Sequence, residues 1–490
     1  MMIVTLYTSR VILNTLGVED FGIYNVVAGF VTMLAFVSNA MASATQRFLA
    51  FEIGAGNKRE LHNVFVMSVN IHFIIAMIIL IIAETLGLFF LNTQLTIPVE
   101  RMEAARWVYH ISILILVVNM ISVPYNAMII AHEQMNVFAW VSIAEVILNL
   151  LIVFVLQGFG FDKLKFYAAL LFGVVLLIRA IFGAYCHKKY RESKFRFFWN
   201  THLFKTLFSY AAWNLWGSSA GVIMGQGINV LLNVFFGPAI NAAYGIALRV
   251  KSAVNQFVNN FQMALNPPII KSYGAGNLQY MHQLIFSGAK YSFFLLFTLS
   301  LPLLLETELV LKLWLKMVPE YTVVFVRLAL VNILIDSMSR PLVTAAQASG
   351  KIKLYQGVVG GLLILNLPIS FLFLKLGFSP ETTLWISIFI TILALVARLI
   401  IIERLIRLNS REFIFRVVII CFGFSVVALV VPLMLYFRLE GSLVRFFIVS
   451  FSSFVFSIIS MYILGLDSNE KVFFKKQLAK IPGQLKSFWR

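Results

Sequence analysis

Charge is scarce in this chain, and negative charge scarcer still. Only 12% of its 490 residues are charged, and 21 Asp and Glu stand against 39 Lys and Arg. No water-soluble domain of this length could cover its surface with so few. Cysteine is limited to Cys186 and Cys421, both in or beside apolar stretches, so neither a disulfide framework nor a cysteine metal site is expected. The seven histidines are scattered. There is no D-x-D carboxylate pair, no nucleophile with its base and no phosphate-cradling glycine loop. These absences predict no enzymatic activity, no cofactor and no bound metal. Apolar runs such as IIAMIILIIAETLGLFFL also lack the period of two that a membrane β-strand needs, which excludes a barrel.

What is abundant is hydrophobic length. Sixty per cent of the residues are hydrophobic, and stretches of about 20 apolar residues, enough to cross a bilayer as a helix, recur throughout. The pattern predicts an all-α integral membrane protein with about fourteen transmembrane helices, over 1–16, 22–44, 64–91, 105–131, 135–158, 164–186, 204–236, 238–264, 278–304, 319–346, 350–376, 382–405, 412–437 and 443–465. The first helix can itself be inserted and kept, so no signal peptide is required. That span starts at Met1 already inside its apolar run, so the expectation is either that a few residues of the helix are missing or that the start site is misassigned.

Lysine and arginine concentrate in the even-numbered connections and in the tail, and are sparse in the odd-numbered ones. By the positive-inside rule the basic side, with both termini, is cytoplasmic. Because these residues follow topology and are not gathered in one domain, no nucleic-acid partner is expected. The stretch HKKYRESKFRFFW at 187–199 and the tail SNEKVFFKKQLAKIPGQLKSFWR interleave cations with apolar residues. Both fit segments lying on anionic membrane lipids.

The tetrapeptide GAGN occurs twice, at Gly54–Asn57 and Gly274–Asn277. At the same offset Gly17 pairs with Gly237, Tyr24 with Tyr244, Asn39 with Asn259 and His62 with His282. Further on, at a slightly shorter offset, Pro124 pairs with Pro341, Ala131 with Ala348, and ILNL at 147–150 with ILNL at 364–367. The first six helices thus repeat as the next six, entering the membrane in the same sense. The predicted organisation is an N-lobe over 1–186, a basic linker over 187–203, a C-lobe over 204–405, two further helices over 406–465 and an amphipathic tail over 466–490. Two such lobes commonly enclose a central cavity that is exposed alternately to each side. GAGN itself reads as a turn, its glycines permitting positive φ and its Asn capping the next helix.

Ionisable and amide side chains inside spans are the candidate site residues, since a charge at mid-bilayer costs about 2.5–3.5 kcal/mol unless a partner or wet cavity receives it. Arg10 and Asn14 lie one turn apart on the first span. On the seventh, Gln226 and Asn229 follow Trp213 and Asn214. The eighth is the most polar, with Arg249, Lys251, Asn255 and Asn259 largely on one face. Such a face cannot meet lipid, and either lines a cavity or bonds to neighbouring helices. Lys290 and Arg327 add positive charge, unless each is interfacial or paired. Glu145, with Asn149 one turn on, is the candidate for coupling H+ or Na+, and its alternative is a silent partner of Arg10 or Arg179. Asp336 and Arg340 are expected to neutralise each other. Arg179, Arg398 and Arg416 sit near span ends and are expected to snorkel, and Glu84 and Glu306 to lie at the interface.

The six-plus-six plan, the two appended helices and the opening LYTSRVILNTLGVEDFGIYNVV resemble the polysaccharide transport family, the Wzx-type flippases of the superfamily that also holds the multidrug and toxin extruders. That resemblance implies transfer of a polyprenyl-diphosphate-linked oligosaccharide from the cytoplasmic to the periplasmic leaflet of a bacterial inner membrane. It implies alternating access, coupling to an ion gradient, and cations of the first helix, here Arg10, in the cavity wall. Glycan polymerase machinery is a further expected partner. A multidrug or cation extruder, a lipid II flippase and a membrane glycan polymerase or glycosyltransferase remain the alternatives. Extra helices and a cavity richer in cations than in carboxylates argue against the first, and the lack of a long extramembrane loop or clustered carboxylates against the last.

Overall fold

The computed structural model describes residues 36–93, 97–158, 162–194, 196–315 and 318–466, with isolated residues among 11–31 and Lys471. The helices are α1 (Phe36–Ala55), α2 (Lys58–Thr93), α3 (Met102–Ala131), α4 (Met135–Gln157), α5 (Lys163–Lys189), α6 (Thr201–Phe236), α7 (Pro238–Gly274) and α8 (Leu278–Leu305). They continue as the short α9 (Thr307–Leu315), then α10 (Thr322–Ser349), α11 (Ile352–Lys375), α12 (Thr382–Ile406), α13 (Ser410–Arg438) and α14 (Leu443–Gly465). The all-α membrane fold is as expected. Among the described residues eleven helices are long and apolar enough to cross a membrane. The expected span at 238–264, now α7, is not one of them, because its amides and basic residues lower its hydropathy.

The chain divides into two compact units. Unit 1 comprises Met1–Leu215 with Ile270–Asn277, and unit 2 comprises Trp216–Ile269 with Leu278–Arg490. Each is built on the same internal plan. In unit 1 the most extensive packing joins α3 to α5, with α2 against α3 and α4 against α5. In unit 2 the corresponding pairs are α10 with α12, α8 with α10 and α11 with α12. The core of unit 1 is centred on the fully buried Tyr109 and Ile113 of α3. Tyr109 Oη donates at 2.6 Å to the Ala83 carbonyl, in a wide turn of α2 over Ala83–Gly87. A buried phenol needs such a partner, and an irregular turn has a carbonyl to spare.

The histidines of the repeat have equivalent tasks. His62 Nδ1 lies 2.9 Å from the Glu192 carbonyl, just beyond α5, and His282 Nε2 lies 3.0 Å from the Ile406 carbonyl, at the end of α12. Since a carbonyl only accepts, each ring nitrogen carries the proton there. Each histidine thereby ties the last helix of its repeat to the third. In unit 2, α13 and α14 pair with one another and pack on α8, with the Phe294 and Phe424 ring centres 4.4 Å apart.

Two connections differ from expectation. The eighth span does not stop at 264 but continues as α7 through Pro267 and Pro268 to Gly274, and the second continues to Ala55. Each helix runs until a glycine takes the left-handed conformation, Gly56 with φ 72° and Gly276 with φ 73°. Each closes with the amide of the following Asn bonded back into the helix, Asn57 to the Glu52 carbonyl and Asn277 to the Ser272 carbonyl. Asn57 Oδ1 then caps α2 by accepting from the Glu60 amide at 3.2 Å. The first glycine of each GAGN has another role. A β-carbon on Gly54 would collide with the backbone of Lys271, and one on Gly274 with the backbone of Phe51, all within unit 1.

Candidate functional site

Asp336 on α10 gathers cations from three helices of unit 2. Arg340, one turn further along α10, reaches Asp336 Oδ2 with Nε at 3.1 Å. Arg398 of α12 places Nη1 3.4 Å from Asp336 Oδ1, while its Nε donates at 3.1 Å to the Tyr355 hydroxyl of α11. Lys251 of the polar α7 interacts electrostatically with both Asp336 and Arg340. Arg398 and Tyr355 are buried, and Asp336, Arg340 and Lys251 half-buried. Three cations around one carboxylate leave the cluster with net positive charge. Pro341 follows Arg340 and offers no amide hydrogen to the carbonyl one turn back, which loosens α10 beside both charged residues.

Unit 1 holds a neutral counterpart. Asn119 of α3 precedes Pro124 by the interval at which Asp336 precedes Pro341, and Arg179 of α5 donates from Nε to Asn119 Oδ1 at 2.8 Å. Glu145 of α4 interacts electrostatically with this arginine. Arg179 and Arg398 are therefore not snorkelling. Each turns from its helix toward the same place on the fourth helix of its repeat, where a polar partner offsets burial better than a reach to the interface.

A second cation buried in unit 1 escaped the sequence reading. Arg47 of α1 is 6% exposed, with its guanidinium 4.4 Å from the Phe48 ring centre, 4.9 Å from Phe51 and 5.7 Å from Tyr210. Stacking on ring faces is a favourable setting for a guanidinium away from water. Asn214, expected at the site, is buried and hydrogen-bonded to Tyr210, and half-buried Trp213 adjoins it in sequence.

The other expected residues scatter. Arg10 and Asn14 lie outside the described residues. Gln226 is exposed, and Asn229 Oδ1 accepts from Asn241 at 2.6 Å across the α6–α7 turn. On α7, Arg249 and Asn259 are exposed and Asn255 half-buried, whereas Val254 and Val258 are buried. The polar face is thus left accessible while the apolar face packs. Lys290 is 2% exposed and donates to the Gly465 carbonyl at 3.2 Å, which fastens α14 to α8. Arg327 donates to the Leu304 carbonyl at 3.1 Å and to Thr307 Oγ1 at 3.3 Å. Asn149 is half-buried on α4. Two further expectations are corrected. Glu306 is not interfacial but buried, receiving two hydrogen bonds from Arg445 at 2.7 and 2.9 Å. The Asp336–Arg340 pair is not self-contained, because Arg398 and Lys251 join it. Among the described residues no group of three or more His, Cys, Asp or Glu could hold a metal ion.

A family model described as "Polysaccharide biosynthesis protein" matches residues 2–273. No curated protein matches the sequence significantly. Solved structures match over most of the chain. A structure described as "MATE in complex with MaD3S" has a TM-score of 0.69 at 15% identity, covering 82% of this chain and 93% of that one. An outward-facing "multidrug resistance MATE family transporter of the MOP superfamily" gives 0.69 at 14% identity, covering 83% and 92%. A MOP superfamily transporter from Pyrococcus furiosus, reported with "reverse polarity of binding pocket", gives 0.66 at 15% identity over 83% and 92%. At such identities the likeness is one of fold.

Proposed function

Because the chain belongs to the polysaccharide biosynthesis protein family, we propose that it is a transporter that flips a polyprenyl-diphosphate-linked oligosaccharide from the cytoplasmic to the periplasmic leaflet. The observation that carries this reading is the excess of Lys251, Arg340 and Arg398 over the single carboxylate of Asp336 inside a membrane helix bundle. Isolated charge in hydrocarbon is costly, and a site built with surplus cations is completed by an anion. A diphosphate supplies that anion and accepts charge-assisted hydrogen bonds from guanidinium and ammonium groups. The accessible amides of α7, Asn255 and Asn259 among them, suit sugar hydroxyls, while the polyprenyl tail stays in lipid. Asp336 occupies part of each arginine's bonding capacity, which keeps the anion from being held too tightly to leave.

The sign of the cluster favours this substrate over a cationic drug, for which carboxylates should outnumber cations. A solved structure of similar fold, with reversed pocket polarity, was likewise reported to suggest a different function for that protein. We place ion coupling at Glu145 beside Arg179, where a change of protonation or Na+ occupancy would alter the arginine's bond to Asn119. The test is flipping in proteoliposomes, with a short-chain polyprenyl diphosphate bearing an oligosaccharide and its exposure to an external glycosidase as readout. Lys251→Gln and Arg398→Gln should each slow flipping at least about tenfold, as expected for loss of one charge-assisted contact. Undiminished flipping in both, or export of a lipophilic cation by the wild type in place of the lipid, would refute the reading.

A further inference from the structure

The connection between α5 and α6 is not slack chain. Tyr190 is buried and stacks on His132 with ring centres 4.1 Å apart. Ser193, 1% exposed, donates to the carbonyls of Cys186 and Tyr190, each at 2.8 Å. The Glu192 carbonyl is held by His62 at 2.9 Å, and the Phe198 carbonyl accepts from Asn70 of α2 at 2.8 Å. These bonds fix the backbone and so determine which side chains face outward.

Those side chains are of two kinds. Phe197, Trp199 and Phe208 are 75%, 43% and 49% exposed, with Trp199 and Phe208 both stacked on Phe204 at 5.2 and 5.7 Å. Around them Lys188, Arg191, Lys194, Arg196 and Lys205 are exposed. The acid of the segment, Glu192, is directed instead at His132, 3.6 Å away. A pinned surface with large rings outermost and cations beside them, at the ends of two apolar helices, is poorly suited to water. It suits the boundary between acyl chains and headgroups, where aromatic rings settle and basic groups meet phosphate.

We propose that this face of unit 1 is a docking surface for anionic phospholipid headgroups, with Phe197 and Trp199 at the acyl boundary and Lys188, Arg191, Lys194 and Arg196 on the phosphates. Charge complementarity selects the occupant, because each basic residue near an anionic surface strengthens adsorption about fivefold. The proposal goes beyond the transport reading and does not depend on the substrate.

The experiment uses the purified full chain, reconstituted in bilayers of equal phosphatidylglycerol and phosphatidylcholine and then extracted, with the retained lipids counted by mass spectrometry. The wild type should be enriched in phosphatidylglycerol. The variant with Lys188, Arg191, Lys194 and Arg196 all changed to Gln should lose at least about fivefold of that enrichment, with its melting temperature unchanged. Raising the salt to about 1 M, where the screening length falls to about 3 Å, should do the same to the wild type. If the fourfold variant does not fold, the double variants Lys188→Gln/Arg191→Gln and Lys194→Gln/Arg196→Gln, which keep every pinning residue, should each lose at least about half of the enrichment. Brominated phosphatidylglycerol should quench a fluorescence component that Trp199→Phe removes. Equal retention of both lipids by the wild type, or unchanged enrichment in the folded variants, overturns the proposal.

Discussion

Gly54 of α1 rests against the backbone of Lys271 of α7, and the counterparts of these residues in the other copy of the repeat, Gly274 and Phe51, make the same contact in reverse. Contacts of i with j and of j with i are the signature of a two-fold axis, so the duplication is visible here as local symmetry. The glycine is required because two helices approach backbone to backbone. Gly54→Ala and Gly274→Ala should each lower stability by at least about 1–3 kcal/mol, since no flexible side chain can give way. Gly56→Ala, which only strains a left-handed turn in open space, should lose about 1–2 kcal/mol. Thermal unfolding of the purified protein would show the order, and a harmless Gly54→Ala would remove the close contact.

The buried pair of Glu306 and Arg445 makes a separate prediction. Glu306 has a 1% exposed side chain and Arg445 a 16% exposed one, and Arg445 also lies 4.4 Å over the Tyr436 ring. Glu306→Ala should destabilise the protein by about 3–5 kcal/mol, the usual effect of stranding a buried charge. Glu306→Ala with Arg445→Met should recover much of the loss. If the double variant is as unstable as the sum of its parts, the two side chains are not coupled.

His132, at the end of α3, gives the pH dependence. Burial holds its imidazole below the ordinary value of 6.5, with Lys271 and Lys189 acting in the same direction and Glu192 and Glu133 against it. The ring is therefore neutral in the folded protein at neutral pH. A depressed value means that the unfolded chain takes up its proton first as pH falls. The contribution is whole well above pH 6.5 and declines as pH drops through that value toward the folded one. His132→Gln should flatten the stability profile in that window, as followed by denaturation at a series of pH values, and an unchanged slope would exclude His132 as its source.

How much of this was legible beforehand follows from what a linear pattern encodes. Hydropathy fixes spans, and among the described residues the expected helices from the third onward lie close to the observed ones, except the eighth, which like the second runs on past its expected end to a glycine turn. The register of Gly54 with Gly274 and His62 with His282 revealed the repeat, and those residues do have matching contacts. What escaped was azimuth. Distance from a span end sets depth along an axis, so Arg398 and Arg179 read as snorkelling, yet the side of the helix from which each projects decided its partner. Lys290 had the depth expected of a cavity residue but points toward α14. Arg47 lay beyond the expected end of its span, and only the run of α1 on to Gly56 places it among aromatic rings. The equivalence of Asn119 and Asp336 could have been found by extending the register back from Pro124 and Pro341.

That equivalence sets the two arginines against different partners. In unit 1 Arg179 meets a neutral amide at 2.8 Å, whereas in unit 2 Arg398 shares a carboxylate with Arg340, and Lys251 acts on both Asp336 and Arg340 electrostatically. Asp336→Asn should make unit 2 resemble unit 1 in its partner while raising the net charge of the cluster by one. If the cluster receives a diphosphate, this variant should bind the substrate more tightly, by about tenfold for one freed charge-assisted contact, and release it more slowly, so that flipping falls while apparent affinity rises. Arg398→Gln should weaken affinity and flipping together. Asn119→Asp, which converts unit 1 toward the pattern of unit 2, should leave affinity within about threefold, because Glu145 already lies close enough to interact with Arg179 and the change adds no cation. Equal effects of Asp336→Asn and Arg398→Gln on affinity would show that the cluster holds the helices together and receives no anion.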